Sequence, residues 1–180
     1  MPIKLNGATS GSVELDVPAA VGSDLQLTLP TAAGTLDRLE RAGNILQVVY
    51  NSTSTTVSSS DTTKIDTGLT ATITPTSVNS KILVALSHNG CLKTTGNNIN
   101  AIHLYLYRDS TEIFEFFNSL NYTGTVVETY SSASMHYLDS PSTTSAVTYK
   151  TQFRNVLAAS YVAVQAGNSV SGITLFEVAA

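Results

Sequence analysis

Apolar and polar residues alternate with a period of two along most of the chain. Leu69, Ala71 and Ile73 alternate with Thr70, Thr72 and Thr74, and Ile102, Leu104 and Leu106 alternate with His103, Tyr105 and Tyr107. Such alternation gives a strand one apolar face and predicts half-buried strands. The continuously apolar run Ile82–Leu86 predicts a strand buried on both faces. Further strands are predicted at 45–50, 113–117, 126–138, 146–153, 161–164 and 173–178. Pro75 closes one strand, and the Ser/Thr-rich stretch 51–61 reads as a loop or an exposed edge. Short strands separated by regular turn signals predict an all-β domain over residues 44–180, a sandwich or jelly roll. The last strand runs almost to Ala180, which predicts a C-terminus tied into a sheet.

The first 34 residues carry a different pattern. VELDVPAAVG, starting at Val13, is matched by LQLTLPTAAG, starting at Leu25. Each copy is a five-residue alternation, then proline, then small residues and glycine. IKLNG at Ile3 reads as a truncated earlier copy. Strands this short cannot bury their apolar faces unaided. Either the rest of the chain covers them, or copies from other chains do. In the second case Leu25, Leu27 and Leu29 meet around the axis of a trimeric shaft. A plain hairpin extension of the main domain is the simpler alternative. Residues 35–43, TLDRLERAG, predict a short helical joint: Thr35 is its N-cap, and Gly43 fits the left-handed position after its end. The organisation read from the sequence is therefore an attachment segment (1–34), a joint (35–43) and a jelly-roll-like head (44–180).

Composition narrows the function. Only 12% of the 180 residues are charged, against 42% hydrophobic, and the formal net charge is −4. The nine basic residues form no cluster, which argues against nucleic acid as a partner. No apolar run reaches the roughly 20 residues of a membrane helix. The N-terminus lacks the apolar core of a secretory signal, so the protein is expected to be made in a cytoplasm. Cys91 is the single cysteine and reads as a small core residue. His88, His103 and His136 lack metal-ligand spacing, and neither a nucleophile elbow nor a phosphate-binding glycine loop is present. The scattered carboxylates leave a glycosidase pair without support. No catalytic, cofactor-binding or metal-binding residue is therefore assigned, and the chain is expected not to be an enzyme.

Interaction surfaces are the remaining candidates. With Ile102, Leu104 and Leu106 in a core, Tyr105 and Tyr107 lie outside it and suit an interface between copies of the chain. The polar stretches 93–100, 118–124 and 139–145 interrupt apolar strands and are expected at sandwich ends, where binding loops gather. Asn97, Asn98, Asn121 and Tyr122 offer amides and a ring suited to sugars; solvated turns without a ligand are the alternative.

Two stretches carry a resemblance. KLNGATSGSVELDVPA followed by LQLTLPTAAGT resembles the start of tail-fibre and virion proteins of marine and cyanobacterial phages. ILQVVYNSTSTTVSSS, DTGLTATITPTSVNSKILV, HYLDSPSTTSAVTYKTQFR and ITLFEVAA resemble a β-rich domain of the same class. The resemblance implies a virion component, a homotrimer with a head similar to tumour-necrosis-factor-like and C1q-like jelly rolls. It implies other virion proteins as partners and, through the head, a host-surface glycan or protein. A short fibre or spike and a capsid-decorating cement protein both fit it. A capsule depolymerase fits less well, for want of paired acids.

Overall fold

The computed structural model describes residues 3–6, 12–15, 41–94, 98–158 and 160–180. The chain separates into two compact units, Met1–Leu36 and Asp37–Ala180. In the first, β1 (Ile3–Asn6) pairs antiparallel with β2 (Ser12–Leu15), with Ile3 opposite Leu15 and Leu5 opposite Val13. The truncated copy is thus a strand in its own right, in register with the start of the next copy. Leu25, Leu27, Leu29 and most of the predicted helical joint lie outside the described residues.

The second unit is all-β. Its strands are β3 (Ile45–Thr53), β4 (Val57–Ser59), β5 (Ile65–Ile73), β6 (Lys81–Lys93), β7 (Ile102–Arg108), β8 (Thr111–Leu120), β9 (Thr129–Asp139), β10 (Val147–Asn155), β11 (Val162–Val164) and β12 (Ser171–Val178). One sheet has the order β5-β10-β7-β8. In the other, the long strand β6 pairs with β9 along one side. Its other side pairs with β12 and then β3 at one end, and with β11 and then β4 at the other. Pairing is nested: first with last, second with second-last, and so on inward to β7 with β8. That is a long hairpin rolled into two antiparallel sheets, the jelly-roll winding.

The core follows from the period-two pattern. Leu69, Ala71 and Ile73 of β5, Ile82, Val84 and Leu86 of β6, Leu106 of β7, and Ile173 and Leu175 of β12 form one buried cluster. Ile102, Leu104, Cys91, Phe153 and Val162 form a second. Burial pushes the Cys91 thiol up to about 12, so it stays protonated near neutrality. The run Ile82–Leu86 departs from expectation. Ile82, Val84 and Leu86 point inward, but Leu83 and Ala85 are only half-buried, because none of the described residues covers the outer side of this sheet.

A polar knot sits between the sheets. His88 on β6 is fully buried; its Nε2 lies 2.9 Å from the Thr151 hydroxyl and its Nδ1 3.2 Å from the Gln165 side-chain nitrogen. The Thr67 and Thr151 hydroxyls are 2.6 Å apart, and the Phe116 ring stacks on the imidazole. Burial lowers the His88 pKa to about 4, keeping the ring neutral. One residue further along, β6 bulges against β9 between His88 and Cys91. Gly90 takes φ +61° there, and a Cβ at that position would meet the backbone oxygen of Ala166 at 2.5 Å. The bulge receives the 3-10 turn Ala166–Asn168 that links β11 to β12, with the Gln165 amide donating to the Asn89 carbonyl at 3.0 Å.

The connections sort to two ends. The turns around 60–64, 121–128 and 156–158 lie at one end, with the end of β6 at Lys93 and the start of β7 at Ile102. At the other, the turns around 74–80, 109–110 and 140–146 join the entry to β3, where the Gly43 amide donates to the Ala179 carbonyl at 2.8 Å. Gly43 has φ +90°, the left-handed conformation its sequence position predicts.

Candidate functional site

The outer face of β5-β10-β7-β8 is charged and internally bonded. Arg154 Nε donates to the Tyr105 hydroxyl at 2.8 Å, and the Lys64 ammonium sits 3.9 Å above the Tyr105 ring. Lys64 also pairs with Glu112, which accepts from the Tyr107 hydroxyl at 2.7 Å. That hydrogen bond from Lys64 is the main cause holding the Glu112 carboxyl below its ordinary range. His103 pairs with Glu115; burial and the Arg154 charge nevertheless depress its pKa. Lys150 and Gln152 both reach Asp66. The tyrosines do lie outside the apolar core, but the expectation of an open tyrosine face is corrected. Tyr105 is only 3% exposed, because Lys64 and Arg154, distant in sequence, fold over it.

The outer face of the other sheet is the opposite in character. Strand register builds three rows across it. Val48, Phe176, Leu83 and Leu138 form an apolar row. Tyr50, Thr174, Ala85 and His136 form the next, then Ser52, Gly172, Ser87 and Ser134. None of the twelve is Lys, Arg, Asp or Glu. Val48 and Tyr50 are 55% and 63% exposed. A shallow hollow of about 350 Å³ opens between Tyr50, Ala85, Ser134, His136 and Gly172. Gly172 floors it, and a Cβ there would meet the Tyr50 ring at 3.2 Å.

The two flanks of the sandwich also differ. On the β3/β5 flank, Asn51 Nδ2 donates to the Thr70 carbonyl and Gln47 Nε2 to the Thr74 carbonyl, each at 2.7 Å, stitching the sheets together. On the β8/β9 flank each strand is paired on one side only, and Phe117, Val126, Val127 and Tyr130 are exposed.

The candidate recognition loops do not all meet. The described residues of 93–100 share the end remote from Gly43 with 118–124, whereas 139–145 lies at the Gly43 end. Asp139 serves there as a structural acceptor, for Arg108 at 2.7 Å and the Tyr149 hydroxyl at 2.6 Å. At the remote end Lys93, which sequence reasoning did not single out, is fully buried. Its ammonium donates to the Asn98 carbonyl at 3.0 Å, the Thr123 hydroxyl and the Thr125 carbonyl at 3.1 Å. Burial holds its pKa below the ordinary lysine range. Asn121 has φ +68°, and its side-chain nitrogen bonds the Cys91 carbonyl at 2.7 Å. Asn98 and Tyr122 are exposed, and Asn97 lies outside the described residues. Among the described residues no group of three or more His, Cys, Asp or Glu side chains could hold a metal ion.

No protein-family model matches the chain, and no curated protein does. Solved structures similar to it include particles of infectious bursal disease virus. T=1 particles derived from this virus align with TM-score 0.41 and 13% identity, over 97% of this chain and 44% of that one. The VP2 subviral particle aligns with TM-score 0.40 and 15% identity, over 96% and 48%. The T13 viral particle gives 0.40 and 15%, over 97% and 43%. The chain thus spans less than half the length of each of these chains.

Proposed function

We propose that this chain is a non-catalytic structural component of a virus particle whose jelly-roll head assembles as a homotrimer. The observation that carries the assembly is the contrast between the two outer faces. One saturates its own charges; the other displays an uncharged apolar row beside a hollow. An apolar surface of this kind is stabilised by covering it. The exposed apolar residues form two different patches, the β3-β12-β6-β9 face and the β8/β9 flank. Docking the flank of one copy on the face of the next is a heterologous contact, and such contacts form a ring where the rotation between copies closes. This reading moves the interface from Tyr105 and Tyr107 to Val48, Tyr50 and Leu138. The virion assignment is supported by the phage-fibre resemblance, and the winding is compatible with the tumour-necrosis-factor-like heads it implies. A short fibre or spike is favoured over capsid decoration, since Gly43 and the Lys93-bound loops lie at opposite ends of the head. That arrangement gives the head one end for attachment and one for contact.

Native mass spectrometry of the purified protein, with gold-labelled protein imaged on particles, tests both parts. Trimers and a tail-located label are expected. A monomer at micromolar concentration overturns the assembly, and a label confined to the capsid shell replaces the spike by a decoration protein.

A further inference from the structure

Strand β8 carries one residue more than its partner needs. Tyr105 of β7 faces Glu115 and Leu104 faces Phe117, so Phe116 and Phe117 share a single partner. Two residues against one make a β-bulge, a device that re-aims side chains at sheet edges. Phe116 takes the place in the core: its ring stacks on His88, and it packs against both buried clusters. Phe117 is left over, 37% exposed on the free edge of β8. A ring left in water forfeits the burial that its neighbour gains, and a partner surface that covers it recovers that stabilisation.

The hollow on the outer face of the other sheet is the matching surface. Gly172 is not in the left-handed region, so the backbone does not demand a glycine there; the missing side chain opens the space beside Tyr50. The hollow measures about 350 Å³, and a cavity of about 150 Å³ already accepts a benzene ring. Its walls are the Tyr50 and His136 rings with Ala85, Ser87, Ser134 and Val170. Among the described residues, none that lines it is Asp, Glu, Lys or Arg. Phe117 belongs to the opposite sheet, so the hollow of its own copy lies out of reach on the far side of β9.

Height along the sandwich pairs the two. Phe117 adjoins Phe116, which stacks on His88, and Ser87 of the hollow is the residue before His88 on β6. Cyclic symmetry about an axis from the Gly43 end to the Lys93 end carries a residue around that axis at constant height. The other exposed apolar residues of the flank do not match. Tyr130 pairs with Leu92, five residues beyond Ser87, which is roughly 15 Å at about 3.3 Å per residue. Val126 and Val127 precede β9 in the connection at that same end.

We propose that Phe117 of each copy seats in the Tyr50–His136–Gly172 hollow of the next, so that the bulge in β8 sets the register of the ring. The assignment rests on the ring of copies put forward above, and the experiment separates the two.

Sedimentation velocity of the full chain over a dilution series tests it. The wild type is expected to sediment as a trimer. Phe117→Ala should raise the concentration at which half the trimer has dissociated by at least tenfold. Ser134→Phe, which fills the hollow from an exposed position of β9, should do the same without touching β8. Tyr130→Ala, on the same flank at the wrong height, should shift that concentration by less than threefold. A covalent readout identifies the contact. With copper phenanthroline as oxidant, Phe117→Cys combined with Ser134→Cys should give disulfide-linked trimers on denaturing gels, each copy joined to the next. Tyr130→Cys combined with Ser134→Cys should not, and Cys91 is buried and stays a thiol. A monomeric wild type overturns the ring and this contact together. A wild-type trimer that either Phe117→Ala or Ser134→Phe leaves unchanged, or that the first cysteine pair fails to link, keeps the ring and overturns the contact.

Discussion

At the residue scale, the fully buried His88 carries a measurable consequence. Its imidazole is neutral in the native state, with a pKa of about 4 against 6.5 for the free side chain. Below pH 6.5 the unfolded chain takes up a proton that the folded one refuses, so stability falls as pH drops from 6.5 toward 4. A depression from 6.5 to about 4 corresponds to roughly 3 kcal/mol over that window. His88→Gln keeps polar partners for Thr151 and Gln165 but cannot titrate. Urea unfolding at pH 7, 6 and 5 should show the wild type weakening steadily and the variant less steeply, with His103, whose pKa is also depressed, supplying the remaining slope. Parallel slopes for the two proteins would assign the acid sensitivity to another group.

At the element scale, Glu177 ties three parts of the sandwich together. It lies on β12, accepts from Gln47 of β3 at 2.6 Å, and accepts from the Thr76 amide and hydroxyl, each at 2.7 Å. Burial opposes its ionisation, but these bonds outweigh it and hold the carboxyl down at about 2. The stabilisation is present above pH 4.5 and is lost as pH falls from there toward 2, a lower window than that of His88. Glu177→Gln should lower the melting temperature at pH 7 and remove much of the further fall below pH 4.5. Melting curves between pH 5 and pH 2.5 check this. The strands themselves were largely legible in the sequence, because alternation such as Ile102 to Tyr107 admits one face inward. Ile82–Leu86 misled because the period-two rule equates apolar with buried in the same chain. Leu83 and Ala85 face a surface that a second copy is proposed to cover. Tyr105 misled for the converse reason, since the groups that cover it come from elsewhere in the chain, Lys64 from the turn before β5 and Arg154 from β10. Lys93 gave no sequence signal, for a lysine reads as solvated until three oxygens, two of them from the connection between β8 and β9, surround it.

At the scale of the whole molecule, the contrast between faces predicts where added charge is tolerated. Tyr50→Asp combined with Phe117→Asp places carboxylates on both proposed contact patches and should yield folded monomers by light scattering. Gln152→Asp on the charged face should leave the oligomer intact. Equal dissociation by both changes, or by neither, contradicts the face assignment. Because assembly stabilises only the folded chain, the wild-type melting temperature should rise with protein concentration while that of the double variant stays constant.

The nested winding also sets the order in which this chain can be completed on a ribosome. Strand β12 lies between β3 and β6, so the two halves of that sheet have no shared ladder until residues 171–178 have emerged. Until then β3 and β6 each present an open edge, the surface through which nascent chains pair wrongly with one another. Local hairpins such as β7–β8 can form early, but closure waits for a partner more than a hundred residues away, a demand that makes folding slow. A chain ending at Val170 should therefore be recovered in aggregates after expression, and supplying residues 171–180 as a separate peptide during refolding should return part of it to the soluble fraction.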